Sequence, residues 1–501
     1  MSIKIYIATR DDWPELIITK LLRMQYGLDD DWCVQIYEEH VKPHLDVLRE
    51  DICILAETAY VDFFYRDSYY HYFSSKLKSY HRDCLRLSLF SGEVSENDFA
   101  DPDKYDDLKQ RYLGFYVLRP TFPNVVGRSV ISPKALENND IRICSCVFNT
   151  TVCGLKFQVS GFPHASQDTE IITCAETTLW AIMEYFGGKY SYYKPTLPSK
   201  IIQQLQSISF ERQIPSRGLN VHQISYALKE YGFGTRIYSR EGYGGEEFEK
   251  LLSCYVESGI PLVVALENDA SDIAHALLVV GRENDCSDRV ESISCFLEKE
   301  RNITIYDYDS VPKRFVFVDD NKPVYRKACL SDPAAHYDSD SWKQCKITHF
   351  IVPLYPKIYL EAYEAKRHIR KFLLFGPHPI NENAEIVLKI FLASSRSYKH
   401  ELMRDKGVKG DMKTLIEEMS MPKFIWIGEI STMVDIRGKK ANGLVILDAT
   451  EPNRQSLNNP LIMAAYDGNF FVINSISGKL EKKKLHYEPF SIYEHNLKSQ
   501  C

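Results

Sequence analysis

The chain has 501 residues, of which 45% are hydrophobic and 26% charged, a composition typical of folded globular proteins. A single hydrophobic core does not grow to this size, so we expect several domains. The formal charge of −7 excludes the strongly basic footprint of a nucleic-acid-binding protein. No apolar run approaches the roughly 20 residues that a membrane-spanning helix needs.

The N-terminus and the cysteines indicate the compartment. The opening residues, MSIKIYIATRDDWPEL, lack the long apolar core and the small-residue cleavage site of a signal peptide. Thirteen cysteines, an odd number scattered along a long chain, favour a reducing environment over a disulfide framework. We therefore expect a cytoplasmic protein, and we find no pattern that indicates a cofactor.

Residues 1–159 predict an accessory domain of mixed helices and strands. Residues 3–8 are typical of a short strand, and apolar residues spaced three and four apart over 41–77 predict one or two long helices. Three further strands follow, the last two around the turn FNTTVCG. Cys144, Cys146 and Cys153 have no evident fourth ligand, so we interpret them as structural cysteines rather than a metal site.

A helix that begins at Cys174 is the most distinctive element of the region 160–356. Thr173 and Glu176 form a capping-box pattern, with Thr173 as the N-cap. Apolar residues then recur at helical spacing and predict one buried stripe, until a glycine pair ends the helix. The thiol would lie on the first turn, where free N–H groups and the helix dipole favour a thiolate. The alternative is an ordinary buried cysteine.

Later parts of the chain predict sheet. The runs IPLVVAL (260–266) and HALLVVG (275–281) predict neighbouring strands that are buried on both faces, after helices over 218–232 and 248–257. RFVFVDDN predicts another strand, which ends in carboxylates. A new pattern of one helix and three strands then predicts a C-terminal α+β accessory domain over 357–501.

A cysteine nucleophile needs a base, a group that orients the base, and donors for the oxyanion. His275 opens a predicted strand after a polar loop, so its ring could face a cleft from a fixed backbone. The next strand ends in Asp319 and Asp320, and since successive strand residues point to opposite faces, at most one of them should reach His275. Gln167, seven residues before Cys174, could offer its amide to the oxyanion.

These segments resemble the C39-like branch of papain-fold cysteine peptidases. CAETTLWAIMEYFG is similar to the nucleophile helix of that family, GLNVHQISYALKEYGFGTRIY to its second helix and strand, and GIPLVVALEN with AHALLVVG to its central strand pair. VDDN is similar to its strand-end aspartate motif. The resemblance covers about residues 160–330. It implies Cys174 as nucleophile, His275 as base, Asp320 ahead of Asp319 as the orienting carboxylate, and Gln167 at the oxyanion.

Three positions depart from the family pattern. The family usually has six residues from the glutamine to the cysteine, whereas Gln167 lies seven before Cys174. Ala175 stands where glycine is common, and Asn321 where proline is frequent.

The sequence thus predicts an α+β chain whose papain-like domain, a nucleophile helix packed on an antiparallel sheet, is flanked by two accessory α+β domains. We expect a thiol peptidase that cleaves a peptide or protein substrate through an acyl-enzyme. Two alternatives stay open. One is another thioester acyl transfer, of the transglutaminase, deamidase or isopeptidase kind. The other is an inactive papain fold that serves as a binding or scaffold protein, and a regulatory partner protein is compatible with either domain plan.

Overall fold

A computed structural model describes residues 3–168, 170–209, 218–284, 289–290, 293–408, 410–452, 459–473 and 479–499. The chain is a mixed α+β protein with three large sheets, here called the N-terminal, central and C-terminal sheets. Neighbouring strands are antiparallel throughout, apart from one parallel pair in the C-terminal sheet. In these described ranges, no helix is both long and apolar enough to span a bilayer.

The N-terminal sheet has seven strands, and short helices cover it. In spatial order its strands are Ile5–Ala8, Ile52–Tyr60, Cys84–Ser91, Tyr112–Leu118, Ser129–Ile131, Leu155–His164 and Cys146–Val152. The accompanying helical segments are Arg10–Asp12, Glu15–Arg23, Met24–Tyr26, Asp30–Ile36, Tyr37–Val41, Lys42–Asp46, Phe63–His71, Phe73–Ser75, Glu96–Ala100, Pro102–Lys104, Tyr105–Arg111 and Pro133–Ala135.

The prediction of long helices over 41–77 is wrong at its centre, where Ile52–Tyr60 forms a strand between Ile5–Ala8 and Cys84–Ser91. The first seven residues of this strand are all buried. A strand covered on both faces is apolar at nearly every position, so it also satisfies the spacing of three and four that identifies a helix.

The central sheet carries the two apolar runs as neighbours, with Leu262 opposite Val279. In spatial order its strands are Arg326–Ala328, Phe315–Val318, Ile273–Glu283, Leu262–Asn268, Lys346–Leu354 and Gly234–Ser239, with Ile141–Ile143 and Lys498–Ser499 added beside Ile273–Glu283. The helices of this region are Cys174–Lys189, Pro198–Gln206, Val221–Glu230, Arg240–Tyr243, Gly245–Glu257, Asp269–Ser271 and Asp340–Lys343.

The helix Cys174–Lys189, called the Cys174 helix below, lies between the N-terminal and central sheets and packs on both. Every residue from 175 to 186 is buried, so the helix has no solvent face, in contrast to the single stripe that its sequence predicted. Trp180 packs on Phe64 of the N-terminal region with ring centroids 4.3 Å apart. Buried Glu184 pairs with Arg128 at 3.0 Å. The nucleophile helix is therefore held by residues well outside the region 160–330.

The C-terminal sheet has eight strands: Cys295–Glu298, Ile303–Asp307, Glu385–Ser394, Phe424–Ser431, Gly443–Asp448, Leu461–Tyr466, Asn469–Ile473 and Leu480–Lys484. Lys440–Ala441 pairs separately with Phe490–Ser491. The helices are Tyr308–Ser310, Ala362–Phe375, Ser395–Arg404, Asp411–Glu418 and Met433–Arg437. The end of the predicted strand GNFFVINSISG, at 474–478, lies outside the described residues.

Strands cross the boundaries that the sequence predicted at 159/160 and 356/357. Leu155–His164 extends the N-terminal sheet past residue 159, while Ile141–Ile143 joins the central sheet. Ile303–Asp307 pairs with Glu385–Ser394 in the C-terminal sheet. Periodicity identifies a strand but not its partner, so the sequence could not locate these exchanges.

A buried ion cluster joins the helix Gly245–Glu257 to the central sheet. Glu257 Oε1 accepts hydrogen bonds from Arg282 Nε at 2.6 Å and from Lys313 Nζ at 3.2 Å. Burial raises the pKa of Glu257, but the charges of Arg282 and Lys313 outweigh it and hold the pKa well below its ordinary value. Glu257 therefore contributes stability above its unfolded pKa, and this contribution is lost as pH falls toward the folded pKa.

We expect Glu257→Gln to lower the free energy of unfolding by about 3–5 kcal/mol at pH 7, because two buried cations lose their nearest carboxylate. Urea unfolding measures this loss, which should shrink at acidic pH as the wild-type carboxylate is protonated. The control is Glu246→Gln, which removes an exposed carboxylate 2.6 Å from Lys250 and should cost about 0.5 kcal/mol or less. Equal losses in both variants would contradict the assignment.

Candidate active site

Cys174 is the first residue of its helix, as the capping pattern predicted. Thr173 has extended backbone geometry at the N-cap, and Thr173 and Glu176 form the reciprocal capping box. Glu176 Oε2 accepts from the Thr173 backbone N–H at 3.2 Å, so this carboxylate is directed at the cap. The Cys174 side chain is half-buried on the first helical turn. This position gives the sulfur the electrostatic environment that favours a thiolate.

His275 lies on the strand Ile273–Glu283 and faces the Cys174 helix. Its ring forms a hydrogen bond with the Cys174 thiol, and the backbone N–H of Ala276 donates to Cys174 Sγ at 3.4 Å. The His275 side chain is buried, so the central sheet fixes the ring as well as its backbone. The structure thus brings together the sulfur and the imidazole, which are about a hundred residues apart in the chain.

Asp319 provides the third member of this chain of hydrogen bonds. Its Oδ1 lies 3.0 Å from His275 Nε2 and also accepts from the Asn321 backbone N–H at 3.0 Å. Its Oδ2 accepts from Tyr337 Oη at 2.7 Å. Burial raises the pKa of Asp319, but the charge and hydrogen bond of His275 outweigh it and hold the pKa well below its ordinary value. Asp319 is therefore an ionised, firmly held partner for His275.

The same pair shifts the His275 ring in the opposite direction. Burial alone lowers the pKa of His275, but the adjacent Asp319 carboxylate, its hydrogen bond and the Cys174 contact raise it well above the ordinary value. The imidazolium is thus stabilised next to a sulfur on a helix N-terminus. This arrangement suits an ion pair between thiolate and imidazolium.

Asp320, which the sequence preferred as the orienting residue, stands in a different position. Its Oδ1 is 3.6 Å from His275 Nε2, and neither carboxylate oxygen has a hydrogen-bond partner in the described part of the chain. The strand ends at Val318, so both aspartates lie on a turn to which strand alternation does not apply, and both approach His275. The hydrogen bond comes from Asp319, which corrects the preference for Asp320.

Burial raises the pKa of Asp320 to about 7. Its unfolded pKa is about 3.9, so the folded protein holds this proton more tightly than the unfolded chain does. A raised acid pKa opposes folding: the cost is absent below pH 4, grows as pH rises, and reaches about 4 kcal/mol above pH 7.

We expect Asp320→Asn to be more stable than the wild type at pH 8 and to have nearly equal stability at pH 4, as measured by urea unfolding. Asp338→Asn, which changes an exposed aspartate, is the matched control. An Asp320→Asn variant that is less stable than the wild type at pH 8 would refute this account of Asp320.

Gln167 lies beside the aspartate turn. Its Nε2 donates to Asn321 Oδ1 at 2.6 Å. Asn321 replaces the proline of the family pattern, and its side chain here accepts the glutamine amide. One amide hydrogen of Gln167 is therefore used to hold the turn, which leaves the other available toward the sulfur.

Asp168 and Arg119 support the loop before Cys174, and sequence reasoning missed both. Asp168 Oδ1 accepts from the backbone N–H groups of Glu170, Ile171 and Ile172 at 2.8–3.0 Å. Arg119, almost fully buried, donates to the Ser166 carbonyl at 2.6 Å and interacts electrostatically with Asp168. An aspartate followed by polar residues is a known turn signal and could have identified Asp168. Arg119 had no such signal.

We expect Asp168→Ala to lower the free energy of unfolding by about 2–4 kcal/mol, because several backbone donors lose a charged acceptor. The same change should slow alkylation of Cys174, since the loop that leads into the helix is no longer fixed. Asp168→Asn keeps one acceptor oxygen and should retain most of the stability and rate. Urea unfolding and alkylation kinetics measure both effects; a fully stable Asp168→Ala would contradict this role.

The segment 330–345 covers the other side of His275. Trp342 meets the His275 ring nearly at right angles, with centroids 5.4 Å apart, and stacks on Tyr337 at 4.4 Å. On the opposite side of the turn, His164 Nε2 lies 3.1 Å from the Asp319 carbonyl. The sequence carried no periodic signal for these contacts, because they come from loops and a strand end of another sheet.

The residues could also be considered as a metal site. Within the described ranges, His275, Asp319 and Asp320 are the group of potential ligands that converges, with ligand atoms within 4.8 Å of one another. Both oxygens of Asp319 already accept hydrogen bonds, and the His275 ring is used by Asp319 and Cys174. The site is therefore better satisfied as an acid–base chain than as a metal centre. Burial raises the pKa of Cys144, Cys146 and Cys153, which fits structural thiols.

No family model matches the chain, and no curated protein sequence matches it. The functional argument therefore depends on the geometry of Cys174, His275 and Asp319.

Proposed function

We propose that this chain is a papain-like thiol peptidase whose catalytic residues are Cys174, His275 and Asp319. The observation that carries the proposal is the continuous chain of hydrogen bonds from the Cys174 thiol through His275 to Asp319. Each member has the setting that its role requires: a sulfur on a helix N-terminus, a buried imidazole, and an ionised carboxylate. The placement of a nucleophile helix on an antiparallel sheet supports the papain-like architecture.

In the proposed reaction the thiol proton moves to His275, and the sulfur attacks the carbonyl carbon of a peptide bond. His275 then protonates the leaving amine as the C–N bond breaks, which leaves a thioester on Cys174. Water, deprotonated by His275, hydrolyses the thioester and restores the thiol. Asp319 holds the ring and stabilises the imidazolium in both halves of the cycle.

The oxyanion is the remaining charge that the site must stabilise. We assign this role to the Cys174 backbone N–H and the second amide hydrogen of Gln167. Gln167 is partly exposed, whereas His275 and Asp319 are buried. A substrate carbonyl therefore approaches from the Gln167 side of the sulfur. A reducing, cytoplasmic compartment would suit a catalytic thiol and is part of the proposal.

A peptide library incubated with the full chain and read by mass spectrometry tests the proposal. A peptidase produces backbone cuts, whereas a deamidase or transglutaminase produces one-dalton shifts or cross-links. Cys174→Ser is the matched control, because it changes one atom at the nucleophile. Cleavage by the wild type alone supports the peptidase; the absence of every product type would favour an inactive binding protein.

A further inference from the structure

A cleft of about 820 Å³, open solvent at its mouth included, lies where the Cys174 helix ends between the central and C-terminal sheets. We call it the junction cleft. It is separate from the candidate active site, because Cys174 begins the 16-residue helix whose last residue, Lys189, lines the cleft. At 1.5 Å per residue, the two ends of this helix are roughly 22 Å apart. The volume is in the range of small-molecule sites.

Aromatic side chains form much of the junction cleft. They come from the end of the Cys174 helix, from the central sheet and from the C-terminal region, and their rings present flat faces to a ligand. They are Phe186, Tyr190, Tyr193, Tyr355, Phe424 and Tyr493. Tyr355 and Phe424 pack together with centroids 4.9 Å apart, and Tyr193 stacks on Phe233 at 4.3 Å. Such preformed aromatic walls favour a planar ring.

The charged residues of the junction cleft are basic. Lys189, His495 and Lys498 line it, and among the described lining residues none is Asp or Glu. His495 also contacts Glu401, 3.2 Å away and outside the lining. Lys189 donates to Tyr185 Oη at 2.5 Å, and an ammonium has further hydrogens to donate. The cleft therefore favours a ligand with an acidic group.

A buried hydroxyl lacks a partner at this position. Tyr193 is 4% exposed, and its Oη has no hydrogen-bond partner in the described ranges. Buried hydroxyls in folded proteins almost always have one, so this group calls for an explanation. The neighbouring Ser258 Oγ, in contrast, donates to the Cys254 carbonyl and accepts from the Leu392 N–H. Tyr193 is thus a free donor in a wall whose other polar groups are already fixed.

We propose that the junction cleft binds a small planar aromatic anion, that is, a ring that carries a carboxylate or a phosphate. The ring lies among the tyrosines, the acidic group is bound by Lys189 and Lys498, and an acceptor of the ligand takes the Tyr193 hydroxyl hydrogen. This site is independent of the peptidase chemistry. The two ligand types, carboxylate and phosphate, are separate arms of the test.

Isothermal titration of the full chain with indole-3-carboxylate and with AMP tests the site, using the Cys174→Ser variant so that no acyl chemistry contributes. At least one of these acids should bind saturably at one site. Its neutral counterpart, indole or adenosine, should bind at least about tenfold more weakly, because it lacks the charge-assisted contacts. The absence of saturable binding at millimolar concentration for both acids, or equal binding of acid and neutral compound, overturns the proposal.

Variants locate the binding. Tyr193→Phe should weaken the acid about tenfold without lowering the Tm of the free protein, since the hydroxyl has nothing to stabilise there. Lys498→Met should weaken it to a similar extent. The matched controls are Tyr192→Phe and Lys194→Met, exposed neighbours outside the lining that should leave the affinity unchanged. Binding that is insensitive to Tyr193→Phe and Lys498→Met places the ligand elsewhere and refutes the site.

Discussion

Replacing Cys174 with serine is expected to abolish peptide cleavage and to remove the fastest-reacting thiol of the chain. A hydroxyl is a far weaker nucleophile than a thiolate paired with His275, so the turnover rate should fall roughly 100,000-fold or more. Alkylation by iodoacetamide, followed residue by residue with mass spectrometry, reports the same property without a known substrate.

The chain provides its own controls for this alkylation. Cys295 and Cys329 are free and exposed, whereas Cys174 is half-buried. If accessibility alone set the rate, the two exposed thiols would react before Cys174. Activation by His275 and the helix N-terminus predicts the reverse order, and Cys295→Ser should leave the fast phase intact. A Cys174 that reacts more slowly than Cys295 would remove the basis for an activated nucleophile.

Asp319→Asn is expected to have the second-largest effect, a loss of roughly 100- to 10,000-fold in catalytic rate. An amide keeps the shape of the carboxylate but not its charge, so it cannot stabilise the imidazolium or hold the same tautomer. Asp320→Asn is the matched comparison on the adjacent residue and should retain activity within a few-fold. Substrate cleavage, or the alkylation rate of Cys174, measures both variants; a larger loss in Asp320→Asn would restore Asp320 as the orienting residue.

The pH profile gives Asp319→Asn a second readout. In the wild type the raised pKa of His275 keeps the ring protonated at pH values where an ordinary histidine is neutral. Without the Asp319 charge, burial dominates and lowers the pKa of His275. The pH at which the ring loses its proton should therefore move to lower values in Asp319→Asn. An unchanged profile would mean that Asp319 acts only as packing.

The sequence was most informative where a local rule fixes a local structure. The capping pair Thr173 and Glu176 located the start of the Cys174 helix to the residue, and two valine-rich runs located the adjacent strands that carry His275. It was least informative where the outcome depends on distant partners. Ile52–Tyr60 is a strand because two other strands flank it, and Ile303–Asp307 joins the C-terminal sheet because Glu385–Ser394 pairs with it.

The choice between Asp319 and Asp320 shows the same limit at the scale of one side chain. Alternation along a strand could not distinguish them, because the strand ends one residue before the pair. The turn that follows is shaped by Tyr337, His164 and Asn321, whose positions come from tertiary packing. Residues that orient a site through loops of other elements are beyond what pattern and spacing can identify.

The complete burial of the Cys174 helix has a consequence for how this protein can be divided. A catalytic region that covered its nucleophile helix with its own residues could be excised or transplanted as a cassette. Here Phe64, Arg128 and the strand Leu155–His164 form one wall of the helix. The thiol can be positioned only after the amino-terminal third of the chain has folded around it, so the whole chain, and not its central third, is the unit of activity.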